Sequence, residues 1–372
     1  MKVEKMQIRL REDEKLLYGL RTLYRQYGYR NFRMSKFEKY ELYAGNKDFL
    51  VSDRVITFTD TDGELLALKP DVTLSIVRGT AYEKGNKEKL CYQETVYRPS
   101  GSSRQFREIM QTGLECIGDL DAYDESEVLL LAEKSLKMIS EESVLSVSHL
   151  GILKGLFSAL NTDDAEQKEL LGLVAERNAH GLKALFERKN WDQAILEAIQ
   201  KLLELNCSIR ELPEALRHFD SGWLGQEVAA ELKQLAVLSS GEARFDFSVI
   251  NDVHYYNGIV FQGFVRGIAE KVLSGGRYDS LLRRLDRKGA AIGFAVYYDL
   301  VEQMAVSREE NDADVLLCYD ENTDLKDLRD EVSRLQEEGL SVYTQRICAG
   351  EEQSVDGLYG RVLELRGGEA NA

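Results

Sequence analysis

Two stretches of alternating residues, 89–97 and 105–117, constrain this chain most; the polar run Pro99-Ser100-Gly101-Ser102-Ser103 joins them. Alternate residues of a strand share a face. In the second stretch Arg107, Ile109, Gln111, Gly113, Glu115 and Ile117 fall on one face. Phe106, Glu108, Met110, Thr112, Leu114 and Cys116 fall on the other, which is mainly apolar and needs a core behind it. The first face sets a cation, an amide and a carboxylate in a row, with Gly113 leaving room between the amide and the acid. Such a row suits a small zwitterion. A carboxylate can hold an ammonium or an imidazole N–H, and a guanidinium can hold a carboxylate or phosphate. A half-exposed sheet face with solvated charges gives the same pattern, and alternation by itself leaves both readings open.

The rest of the chain supplies partners for such a sheet. A helix is predicted over about 12–27, with Leu16, Leu20, Leu23, Tyr24 and Tyr27 on one face and Gly28 closing it. Residues 55–59 and 64–68 flank Asp62-Gly63, a hairpin signal because the turn needs positive φ. Pro70 pre-sets φ for a helix start that 72–77 continue, and 125–141 reads as a longer helix. From about 150 to 240 helical patterns follow one another (152–160, 166–177, 192–205, 227–238), as in a helical insertion. Strands are expected again at 244–250, 259–265 and 268–273; a Gly275-Gly276 turn then leads to a helix near 278–285. A strand at 290–296 precedes the last helix of the main domain. Residues 312–372 look like a small βαβ piece whose helix Thr323 caps. The expected fold class is α+β: an antiparallel sheet with flanking helices and a helical insertion. The expected domains are 1–308 and a short α/β domain, 309–372.

Composition narrows the function. With 48 basic and 64 acidic residues the net charge is −16, which disfavours broad binding along a phosphate backbone. No apolar run approaches the ~18 residues of a membrane helix. The start of the chain, with Arg9, Arg11, Glu12, Asp13 and Glu14, is unlike a signal peptide. The five cysteines lack any C-x-x-C, and none of the four histidines stands at ligand spacing to one of them. No zinc site or other cofactor is therefore expected, and reduced thiols in a cytoplasmic chain fit best.

The segment 97–118 resembles motif 2 of the class II aminoacyl-tRNA synthetases, specifically the histidyl type. That pattern has an arginine ending one strand, a loop, then R-x-x-x-Q-x-G-x-E. Arg98 matches the first arginine, and Arg107, Gln111, Gly113 and Glu115 match the rest. Leu68-Lys69-Pro70-Asp71-Val72-Thr73 resembles the family's L-R-P-E-x-T, whose acid and threonine hold the substrate amine. Tyr255-Tyr256-Asn257-Gly258 is similar to its Y-Y-T-G, and Gly275-Gly276-Arg277-Tyr278-Asp279 to its G-G-R-Y-D. Residues 289–295 resemble the motif 3 strand. The resemblance implies a class II core, usually homodimeric, and a histidine site made of Asp71, Thr73, Arg107, Gln111, Glu115, Tyr255 and Tyr256. For Arg277 and Asp279 the sequence leaves open a mutual salt bridge and a ligand contact.

The chain departs from that family where ATP would be handled. The family's R-G-L-D becomes Asn251-Asp252-Val253-His254, which loses an arginine. Leu300 stands where the motif 3 arginine belongs, and Pro99-Ser100 replaces the acidic start of the motif 2 loop. Losing one charge-stabilising donor typically costs on the order of 100- to 1,000-fold in rate. Arg98 would then mark a vestigial nucleotide site. The pattern is similar to the regulatory subunits of ATP phosphoribosyltransferase, synthetase-like proteins without aminoacylation. That resemblance implies a short catalytic subunit as partner, histidine as effector, and no tRNA or membrane partner. An active histidyl-tRNA synthetase and a scaffold with a vestigial pocket are the rival readings.

Overall fold

A computed structural model describes residues 12–50, 54–80, 83–99, 105–217, 224–250, 255–305, 311–347 and 358–366. They fall into two compact units, Glu12–Glu302 and one that begins at Gln303. The domain boundary expected near 308 lies outside the described residues.

The first unit opens with α1 (Glu12–Gln26), and Gly28 follows it at φ 85°. Next come β1 (Arg30–Asn31), β2 (Phe37–Lys39), α2 (Tyr40–Ala44), β3 (Thr57–Thr59) and β4 (Leu65–Leu68). β3 and β4 form the expected hairpin; Gly63 takes φ 89°, and Asp62 accepts the Glu64 N–H at 3.0 Å. After α3 (Thr73–Gly79) the long strands β5 (Lys87–Pro99) and β6 (Phe106–Gly118) pair antiparallel along their whole length. α4 (Ala122–Ile139) starts in a capping box on Asp121.

β7 (Ser143–His149) precedes a run of helices: α5 (Leu150–Leu160), α6 (Asp164–Ala175), α7 (Ala179–Lys189), α8 (Gln193–Glu204), α9 (Leu212–Leu216) and α10 (Gln226–Leu238). The unit then adds β8 (Arg244–Phe245), β9 (Ile259–Val265), β10 (Leu273–Arg277), α11 (Asp279–Arg284), β11 (Ala290–Tyr297) and α12 (Tyr298–Ala305), which runs into the second unit.

The large sheet has the order β1-β5-β6-β11-β10-β9-β7-β8, antiparallel except at its two ends. Strand alternation gives it two cores. Leu114 and Cys116 of β6 face α1, α4 and the insertion helices, with Leu20, Tyr24, Leu131 and Leu136 fully buried among them. Ile117 faces the opposite way, toward Leu74 and Ile76 of α3 and Leu281 of α11. A sheet covered on both faces turns the charged row of β6 into buried polar groups. Gln111 is 3 % exposed and Glu115 2 %, which overturns the solvated-face reading at those two positions.

Several expected elements differ. β7 is not legible, because Val144 and Leu145 are adjacent and serines interrupt the apolar run of a strand buried over its last five residues. The sequence also gave no sign of α7 and α9. Of the strand expected at 268–273, residues 268–272 are a connection and Leu273 opens β10, and Gly275-Gly276 lies inside β10 rather than in a turn. These glycines answer crowding. A Cβ on Gly275 would strike Gly293 O and the Phe261 ring; one on Gly276 would strike Ile259 O and the Tyr256 ring. The strand expected at 244–250 stops after Phe245, where Asp246 Oδ1 accepts the Ser248 N–H at 2.9 Å and bends the chain.

In the second unit β12 (Ala313–Tyr319) lies between β13 (Val342–Arg346) and β14 (Tyr359–Leu365), all parallel, with α13 (Leu325–Glu337) packing through Leu335 on Val315 and Leu317. Asp324 caps α13, not Thr323, whose hydroxyl donates to Asp320 and Leu365 O.

Close packing across β6 generates a prediction. A Cβ on Gly113 would collide with Phe294 O and the Tyr92 hydroxyl, whereas one on Gly172 of α6 meets nothing. Gly113→Ala should lose about 1–3 kcal/mol or fail to fold. Gly172→Ala should gain about 0.5–1 kcal/mol from helix propensity. Urea unfolding of both variants checks this, and parental stability in Gly113→Ala would show that the sheet has slack there.

Candidate functional site

The site grows from three local decisions of the chain. β6 carries Gln111 and Glu115 on the face toward α3. The start of α3 brings Asp71 and Thr73 over that face. The turn before β9 brings Tyr255 and Tyr256. These six and Arg98 line one cavity of about 290 Å³, together with Phe49, Tyr92, Tyr278 and Tyr297. That volume sits near the lower end of small-molecule sites, ~300–1,000 Å³.

Glu115 is the centre of this cavity. The Thr73 hydroxyl donates to its Oε1 at 2.9 Å, and the Tyr278 hydroxyl donates to its Oε2 at 2.7 Å. Burial pushes its carboxyl up to about 8; the two hydrogen bonds oppose this, and the charge of Asp71 adds to it. Gly293, directly opposite on β11, leaves the space for Glu115, since any Cβ would overlap its carboxylate. Burial also raises the Asp71 carboxyl, against the pull of Arg98 and of the Leu74 N–H, which donates to Oδ1 at 2.8 Å.

Arg98 serves this loop. Its Nε donates to Pro70 O at 2.5 Å, and Nη2 lies 3.5 Å from Asp71 Oδ2. One residue earlier Lys69, 1 % exposed, pairs with Glu94, whose Oε1 accepts the Met34 N–H at 3.3 Å. Two ion pairs therefore fix the backbone that presents Asp71 and Thr73.

Arg107 is not brought in. It stands opposite Arg98 in the ladder, but it is exposed and outside the cavity wall. The room expected at Gly113 is not open either, because the Tyr92 ring fills it. Arg277 and Asp279 form the structural pair: Nε donates to Asp279 Oδ2 at 2.9 Å and Nη1 to Glu125 Oε1 at 2.6 Å. Leu300 packs on the main core. Among the described lining residues Arg98 is the one cation. Asn251, Asp252, Val253 and His254, and the loop from Ser100, lie outside the described residues.

Sequence reasoning missed Tyr278 as the second clamp on Glu115, and it missed Tyr92. Counting the β5–β6 register outward from the loop would have set Tyr92 opposite Gly113, an aromatic ring over a glycine. Nothing local marks Phe49, which reaches Tyr255 at a ring-centroid distance of 5.9 Å.

The raised Glu115 carboxyl sets a pH dependence. Its folded-state value of about 8 lies above the ordinary 4.5, so the folded chain holds the extra proton across that window. Stability must then fall as pH rises from the ordinary carboxylate range toward 8. Glu115→Gln should flatten this slope by up to about 1.4 kcal/mol per pH unit. Urea unfolding between pH 5.5 and pH 8.5 (~three units, enough to resolve such a slope) measures it. Parallel pH profiles of variant and parent would refute the buried proton.

Comparison with known proteins bears on the family and the fold. The histidyl-tRNA synthetase family matches residues 6–301. An ATP phosphoribosyltransferase regulatory subunit of Clostridium kluyveri is 27 % identical over 346 residues, 86 % of this chain and 86 % of the relative. The fold matches a protein of Bacillus halodurans C described as an ATP phosphoribosyltransferase regulatory subunit/histidyl-tRNA synthetase. The TM-score is 0.76 at 23 % identity, over 99 % of both chains. It also matches a chain of the ATP phosphoribosyl transferase (HisG:HisZ) complex of Thermotoga maritima, with TM-score 0.61 and 19 % identity over 77 % of this chain and 97 % of that one. The chain belongs to the histidyl-tRNA synthetase family, with that family's class II α+β core.

Proposed function

We propose that this chain is the non-catalytic regulatory subunit of an ATP phosphoribosyltransferase. It acts in the first step of histidine biosynthesis, and catalysis lies in a short-form partner subunit. The regulatory-subunit name of the Clostridium kluyveri relative and the HisG:HisZ complex among the structural neighbours support this reading. The observation that carries it is chemical. The cavity keeps a buried carboxyl group held by Thr73 and Tyr278, and beside it the fixed loop that carries Asp71, while its one described cation is already engaged with Pro70 and Asp71. Such a site recognises an amino acid and offers little to a triphosphate.

In this reading the ligand is histidine, acting as feedback effector. Asp71, Thr73 and Gln111 hold its ammonium, and Glu115 with Tyr255 and Tyr256 holds the imidazole. Arg107, the sequence's candidate for the carboxylate, stands exposed outside the cavity wall. A positive ring beside Glu115 favours loss of its buried proton, and the imidazole can take that proton up. The synthetase-like core forms a homodimer, tRNA is not a ligand, and the complex is cytoplasmic. No described helix is long and apolar enough to cross a membrane.

Co-purification with the host's short phosphoribosyltransferase and an assay with and without histidine test this reading. Activity should require both chains, and histidine should inhibit it. A charge-assisted hydrogen bond is worth about 1.5–3 kcal/mol, so Glu115→Ala should weaken histidine at least about tenfold in calorimetry. Histidine-dependent ATP–pyrophosphate exchange by this chain alone would make it a working synthetase. Stimulation of the partner with no heat from histidine would reduce it to a scaffold.

A further inference from the structure

The segment Tyr255-Tyr256-Asn257-Gly258 faces two ways. Its tyrosine rings line the cavity and pack on each other with centroids 4.8 Å apart. Its last two carbonyls are gripped by the helical insertion. The N–H of Leu150, the first residue of α5, donates to Gly258 O at 2.9 Å, and Lys154, one turn further along, donates to Asn257 O at 3.4 Å. Elsewhere the segment has little freedom. Ser280 Oγ donates to Tyr255 O at 3.0 Å, the Asn257 N–H donates to Arg277 O at 2.8 Å, and Asn257 Nδ2 donates to Asp279 Oδ2 at 3.2 Å.

The first turn of α5 is tied in turn to α10. His149 caps it by accepting the Gly151 N–H on Nδ1 at 3.1 Å. Its other ring nitrogen then carries the proton and donates to Glu231 Oε2 of α10 at 2.8 Å. A backbone displacement of residues 255–258 must either break the Leu150–Gly258 bond or carry the start of α5, and α10 with it. Packed helices respond to such loads as rigid pieces.

We infer that residues 255–258 couple occupancy of the cavity to the helical insertion, so that α5 and α10 carry the ligand signal away from the cavity. This rests on the cavity binding histidine and names the element through which that site regulates. The coupling can be broken away from the cavity, since neither Lys154 nor Glu231 lines it.

The test uses the full chain, alone and with its catalytic partner, and compares the parent with the Lys154→Ala/Glu231→Ala double variant, which removes both side-chain links. Typical couplings amount to about 5- to 150-fold. Histidine should therefore slow amide hydrogen exchange in the first turn of α5, and in α10, by at least about fivefold. In the double variant calorimetry should give a histidine affinity within about twofold of the parent, while the exchange protection and the inhibition of the complex fall by about fivefold or more. Normal histidine heat with protection confined to the cavity wall overturns this inference alone. Inhibition undiminished in the double variant also overturns it. Absence of histidine heat in the parent overturns the reading of the cavity, and this coupling with it.

Discussion

Everything at this site depends on keeping one carboxylate inside a sheet that is covered on both faces. An isolated buried carboxylate is strongly disfavoured in its charged form, so the protein must shape its surroundings atom by atom. Glu115 takes two hydroxyl donors, from Thr73 and Tyr278. Its neighbour on β11 must be Gly293, because a side chain there would occupy the same volume. Thr73 must sit over it, so the loop before α3 is fixed by Arg98 on Pro70 and by Lys69 on Glu94. Glycines, tyrosines and ion pairs that look unrelated along the chain serve one acid.

This also explains which parts were legible. The β5–β6 pair, the Asp62-Gly63 hairpin, the main helices and the acid–amide row depend on local periodicity or on motifs, and the chain states them directly. β7 and the true course of β10 depend on crowding between neighbours distant in sequence. Gly275-Gly276 carries a turn signal locally, yet the ring of Phe261 and the carbonyl of Gly293 decide its fate. Arg107 shows the same limit. Alternation puts it on the right face, but a face is a ligand site only where another layer covers it, and the covered part of β6 begins further along the strand. Tyr278 was visible only as a letter in a motif, because its hydroxyl reaches Glu115 across strands that the sequence does not show to be adjacent.

The same geometry separates recognition from reaction. Activating a carboxylate with ATP requires cations aimed at phosphates, held in place before charge develops. Here Leu300 contributes to the core and Arg98 is committed to the Asp71 loop. An amino acid needs less: one buried acid for a ring N–H, a second acid and hydroxyls for an ammonium, and aromatic walls. Those parts are assembled on rigid strands and on a helix start that two ion pairs hold.

A ligand regulates only through a difference in affinity between states. The buried acid provides such a difference. With the cavity empty, Glu115 is most comfortable protonated and closed in by Thr73 and Tyr278. A cationic ring N–H compensates the ionised form, which is costly in the same enclosure when nothing is bound. Any assembly state that opens the tyrosine wall hydrates Glu115 and gives up this advantage for the ligand. Under the proposed reading, histidine favours the closed wall, and residues 255–258 are where that wall meets α5. A regulator built this way needs no new contact between ligand and partner. It needs only that the partner distinguish two positions of the insertion, with the occupied cavity holding one of them.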